Sequence, residues 1–187
     1  MTDQTIKIAD LTDEGTLPFI NAQIAGISEN QLYTLYFQDN SYYIWDNTKE
    51  EKVRDINHPY LRHDITYLLG GNRYSVSNDG KYISGVYDNR EDERGSTAQV
   101  FVLDTTTNEI SYNFQTPSTS FILGFSADGG YLFLTTAYNE ITIHNVLSQF
   151  VEKTIEVDPG FIMSVRFSAD NKYMIINYIE GVSNVYL

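Results

Sequence analysis

The chain has 187 residues, 42% of them apolar, with 15 Tyr and 10 Phe, enough for a sizeable core and weighted toward side chains that favour a pleated, half-buried surface. Twelve Lys and Arg against 25 Asp and Glu leave a formal charge of −13, which repels a phosphate backbone or an anionic membrane and sets both aside as partners. Cysteine is absent, which excludes a disulfide framework and a thiolate metal site.

The start, Met1-Thr2-Asp3-Gln4-Thr5, lacks the basic end and apolar run of a signal peptide. No apolar stretch approaches the ~20 residues needed to span a bilayer, and no Asn-x-Ser/Thr sequon occurs, so a soluble, cytoplasmic protein is the expectation. Residues 5–9 predict a first strand, with 11–17 as a link. From residue 18 onward a unit of strand, turn and further strands recurs four times. The first copy, 18–56, predicts strands at 24–27, 32–38, 42–46 and 51–56, with a turn at Glu29-Asn30-Gln31. The second, 59–115, predicts 74–76, 82–87, 99–104 and 109–115, with a turn at Asn78-Asp79-Gly80. The third, 117–157, predicts 122–125, 131–137, 140–145 and 150–157 around Asp128-Gly129-Gly130. The fourth, 159–187, predicts 164–167, 173–178 and 182–187 around Asp170-Asn171-Lys172, and has three strands.

The turn residues of these copies are those that accept a positive φ cheaply, so Asp79, Asp128 and Asp170 read as turn formers rather than catalytic carboxylates. Pro18, Pro59, Pro117 and Pro159 each fall just before the first strand of a copy, in connections where no ladder donor is needed. Phe125-Ser126-Ala127-Asp128 and Phe167-Ser168-Ala169-Asp170 are 42 residues apart, and the step from Val76 to Phe125 is 49. A period near 40 to 45 residues with four strands per unit marks an all-β β-propeller, because one four-stranded sheet cannot cover both its faces and must stack on its neighbours.

The third strands end in Ile44-Trp45-Asp46, Val102-Leu103-Asp104, Ile143-His144-Asn145 and Val185-Tyr186-Leu187. At Ile44-Trp45-Asp46 the chain resembles the WD-repeat β-propeller family, and Asp39, six residues before Trp45, matches the tight-turn Asp of that family. The resemblance implies a scaffold for protein contacts and no chemistry. His144 occupies the Trp45 slot and is expected as a packed structural histidine.

Each four-stranded copy is then a blade, and the fourth lacks its outer strand. Residues 5–9 resemble 152–157 and supply that strand, which removes an open sheet edge. Two assemblies satisfy this pairing: a closed four-bladed ring, or an eight-bladed ring formed by a homodimer. The large Ile27, Val76, Phe125 and Phe167 on the inner strands favour the second.

Function is expected where blade two is elaborated. The connection 60–72 and the connection 88–96 converge on one edge of one end, with Tyr60, Arg62, His63, Tyr67, Arg90, Glu91, Asp92 and Arg94 as candidate contacts to a protein partner. No G-x-S-x-G elbow, phosphate-binding glycine loop or H-E-x-x-H motif occurs, and His58, His63 and His144 lie in no recognisable motif, so no enzyme activity, cofactor or metal is expected. A site for a small ligand or for hydrolysis at a central tunnel is the alternative, since some similar propellers hydrolyse lactones or bind sugars there. A purely structural, self-assembling unit is the third.

Overall fold

The computed structural model describes residues 22–61, 74–88, 97–117, 120–137, 139–158, 162–168, 170–178 and 183–186. Every described element is a strand. The first sheet holds β1 (Gln23–Ile27), β2 (Tyr33–Gln38), β3 (Ser41–Asp46) and β4 (Glu51–Ile56). The second holds β5 (Tyr74–Val76), β6 (Tyr82–Asp88), β7 (Thr97–Asp104) and β8 (Glu109–Pro117). The third holds β9 (Phe121–Phe125), β10 (Tyr131–Ala137), β11 (Glu140–Asn145) and β12 (Phe150–Glu156). The fourth holds β13 (Ile162–Phe167), β14 (Met174–Tyr178) and β15 (Ser183–Tyr186). Strands follow one another in sequence order within each sheet, and every pairing is antiparallel. The four predicted copies are thus four sheets. The predicted strand at 5–9 and the link at 11–17 lie outside the described residues.

One expectation needs correcting. Pro117 is the last residue of β8, opposite Thr97, and not part of a connection. β8 is the outer strand of its sheet, the place where a strand tolerates proline.

The sheets stack through their inner strands: β1 packs on β5, β5 on β9, and β9 on β13. Three apolar clusters fill the junctions. Leu35, Ile44 and Ile56 of the first sheet meet Val76, Ile83, Phe101 and Leu103 of the second. Tyr82, Val100 and Val102 meet Phe125, Leu132 and Leu134. Phe133 and Ile141 meet Val165, Met174 and Ile176, with the Phe133 and Phe167 rings stacked 3.9 Å apart.

Val76 and Phe125 are core residues between sheets, and Phe167 packs on the third cluster. The inner strands come close at Gly26, against Tyr74, and at Gly124, against Ser75, whereas the residue before Phe167 on β13 is Arg166. A β-carbon on Gly26 would lie 2.5 Å from the Tyr74 carbonyl oxygen, and one on Gly124 would lie 3.8 Å from Ser75 Oγ.

Each inner strand ends in the same turn, built by Ser28, Ser77, Ser126 and Ser168. The serine amide donates to the carbonyl of the Tyr five residues on, Tyr33, Tyr82, Tyr131 or Tyr173, and its Oγ accepts from that Tyr amide at 2.8–3.0 Å. Its hydroxyl donates to Asn30, Asp79, Asp128 or Asp170 at 2.6–2.7 Å. The next residue, Gln31, Gly80, Gly129 or Asn171, has φ between 57° and 72°. The carboxylates are therefore turn formers, as expected. Ser77 is buried whereas Ser168 is not. Ser77→Ala should therefore cost about 2 kcal/mol in urea unfolding and Ser168→Ala under about 1, because a lost bond is dearer where water cannot replace it.

Candidate functional site

The strands alternate in direction, so each sheet presents its turns at two ends. One end carries the serine turns, which are bonded to one another around the stack. The Asn30 amide donates to Asn78 Oδ1 at 3.0 Å, and Asn30 Nδ2 donates to the Asn78 carbonyl at 2.9 Å. Asn78 Nδ2 reaches the Ala127 carbonyl at 3.4 Å, and the Ala127 amide donates to Asn171 Oδ1 at 3.0 Å. From the first turn, Glu29 reaches Arg166 on β13, with Nη1 to Oε1 at 3.8 Å, and accepts from the Phe167 amide. Burial pushes the Glu29 carboxyl above its ordinary value, against the pull of that amide and of Arg166. The turns of the first and last sheets are thus neighbours at this end. The far side of the fourth sheet is less covered, with Tyr173 46% and Ile175 41% exposed.

The same end holds the hairpins between third and fourth strands. Asp46 is buried, and its Oδ1 accepts from the Thr48 amide, the Thr48 hydroxyl and the Lys49 amide at 2.6–3.1 Å. These bonds, the Thr48 hydroxyl foremost, lower its pKa to about 2. The Asp of the Trp-Asp pair therefore shapes a turn. Asp39 does so too: Asp39 and Asn40 have φ of 50° and 63° between the paired Gln38 and Ser41, a two-residue hairpin loop of type I′ form.

The opposite end carries the candidate rim. Here the second sheet outgrows its siblings: β7 and β8 have 8 and 9 residues, against 6 and 6 for β3 and β4 and 6 and 7 for β11 and β12. The β6–β7 ladder is regular up to Asp88 opposite Ala98, so the connection beyond springs from a rigid stem. Tyr60 is half-buried with its ring 5.6 Å from Phe101 and 5.1 Å from His58, and its amide faces His58 Nδ1 at 3.3 Å. It packs on the first core cluster rather than standing clear of the surface. Burial lowers the His58 pKa. Arg62, His63, Tyr67, Arg90, Glu91, Asp92 and Arg94 lie outside the described residues.

His144 fills the Trp45 slot as a packed side chain. It is 4% exposed, stacked on Phe114 at 4.0 Å and 15°, with Nδ1 3.2 Å from Tyr112 Oη and Nε2 3.1 Å from Thr142 Oγ1. Among the described residues no three His, Asp or Glu side chains converge as a metal set, and no helix is long and apolar enough to cross a membrane. No protein-family model matches the chain, and no curated protein matches it. The lengthening of β7 and β8 is a feature that sequence reading missed. The alternation through Thr97 and on to Thr116 was its only trace.

Proposed function

We propose that the chain is a WD-repeat-like β-propeller of four blades, closed within one molecule, acting in the cytoplasm as a non-catalytic platform for protein contacts. The observation that carries the platform reading is the lengthened outer half of the second sheet, which raises one edge of one end above the others on a rigid stem. Residues 62–67 and 90–94 adjoin that edge in sequence, and their Arg and Tyr are the side chains that most often anchor partners. Closure within one chain is supported by the Glu29 contacts to Arg166 and Phe167.

Two measurements test this. Light scattering on the eluting protein should give a mass near 21.4 kDa, and twice that would favour the shared eight-bladed ring. Replacing residues 90–94 by a short Gly-Ser turn should preserve the circular dichroism spectrum and abolish capture of a specific protein partner. An unchanged partner set would remove the rim.

A further inference from the structure

Three junctions between sheets are built alike, and the one between the fourth sheet and the first is not. From first to fourth, β1 packs on β5, β5 on β9 and β9 on β13, and an apolar cluster fills each step. Ser28 and Val76 add a backbone bridge between the first two sheets. The Tyr that closes one serine turn also lies against the glycine of the next. A β-carbon on Gly80 would meet the Tyr33 ring at 2.7 Å, and one on Gly129 the Tyr82 ring at 3.8 Å.

No apolar cluster joins the fourth sheet to the first among the described residues. Cross-strand partners share a face, so Ile24, Tyr36 and Tyr43 lie on the side of the first sheet away from Leu35 and Ile44, which face the second. Arg166 and Ile175 likewise lie on the side of the fourth sheet away from Val165 and Ile176, which face the third. Across the seam between these two faces Ile24 stays 63% exposed and Ile175 41%. Tyr173, the fourth-sheet counterpart of Tyr33 and Tyr82, is 46% exposed.

Glu29 reaches over this seam, to Arg166 at 3.8 Å and to the Phe167 amide. The Arg166 side chain is 62% exposed, so water screens the ion pair and it contributes little. Closure also takes the Glu29 carboxylate partly out of water, which costs free energy and raises its pKa. A boundary with little buried apolar surface is the one that opens locally at least cost.

Taking the ring as closed within one chain, we propose that it opens reversibly at the junction of the first and fourth sheets, with Glu29 as the latch, while the other three junctions stay shut. Opening breaks the Glu29 contacts to Arg166 and Phe167 and parts the Ile24 face from the Ile175 face. The three apolar clusters are left intact.

The chain has no cysteine, so pairs of nitroxide labels can be placed at will. L32C/K172C spans the seam and K49C/T107C the junction of the first and second sheets, all at exposed positions. Double electron-electron resonance on full-length protein, diluted with unlabelled chains, should give two distances for the seam pair and one for the control pair. E29A should at least triple the share of the longer seam distance, and R166A should raise it by a smaller factor, with circular dichroism spectra and the control distance unchanged. A single short seam distance would overturn the proposal and leave the one-chain ring standing. A single long one in the wild type would overturn both. Two distances whose shares neither variant alters would remove Glu29 as the latch, and two distances for the control pair would mean that the seam is not the weak junction.

Discussion

Gly26→Ala should destabilise the protein by about 3 kcal/mol, at the upper end of what overpacking costs, and Gly130→Ala by less than about 0.5. The difference lies in what each new methyl meets. At Gly26 the β-carbon would stand 2.5 Å from the Tyr74 carbonyl oxygen and 3.1 Å from its carbon, both backbone atoms. Backbone at a sheet junction cannot rotate aside as a side chain can, so β1 and β5 must move apart. That movement would loosen the contact between Leu35 and Ile44 on one side and Phe101 on the other, whose side chains are fully buried. At Gly130 the nearest atoms belong to the Asp128 carboxylate, at 3.4 Å or more, and no positive φ is required. Urea unfolding of the two variants at equal m-value is the measurement. Equal midpoints would mean that the inner strands do not approach as closely as described here.

The contrast between these glycines also explains what could be read in the sequence. Strand boundaries at β1 to β14 agree with the expected ones to within about two residues, because Asp-Gly, Asn and Ser mark every turn and each strand is short. The period fixed which strands share a sheet. It could not say which way an inner-strand side chain points: Val76 and Phe125 fill the gaps between sheets. The inner strands are only 3 to 6 residues long, and bulges shift the register of β1, β9 and β13 at Ile24/Gly26, Phe133/Leu134 and Ile162/Ser164, so alternation counted from one end reverses partway. The link between Glu29 and Arg166 was equally hidden, since a contact across the stack leaves no local pattern. Of the rim, composition marked the loops, but only the ladder from Asp88 and Ala98 to Thr97 and Pro117 gives them a stem. The packing of Tyr60 on Phe101 was not legible, because an aromatic in a connection looks the same in sequence whether it faces solvent or the core.

Lowering the pH from 6.5 to 4 should remove about 2 kcal/mol of stability through His144, and His144→Leu should flatten that slope. The ring is wedged against Phe114 and between Tyr112 and Thr142, and burial lowers its pKa from 6.5 to about 4. A folded-state pKa below the unfolded one means that the unfolded chain takes up the proton first. The stability associated with neutral His144 is therefore complete above pH 6.5 and is lost as pH falls through about 4. Leu is the residue that the second repeat keeps in this slot, as Leu103, so H144L retains an apolar filling while deleting the titration. His58, whose pKa burial also lowers, adds a smaller slope of the same sign that survives in H144L. A second loss follows below pH 4 from the turn carboxylates. Asp46 is held at about 2 by Thr48, and Asp128 and Asp170 are lowered chiefly by the hydroxyls of Ser126 and Ser168. Their stabilisation is present above the ordinary carboxyl value of 3.8 and is lost as pH falls through each lowered value, about 2 for Asp46. Urea midpoints at half-unit pH steps resolve the two windows. A slope between 6.5 and 4 that is the same in wild type and H144L would mean that the imidazole is protonated within the fold and does not pack as a neutral core group.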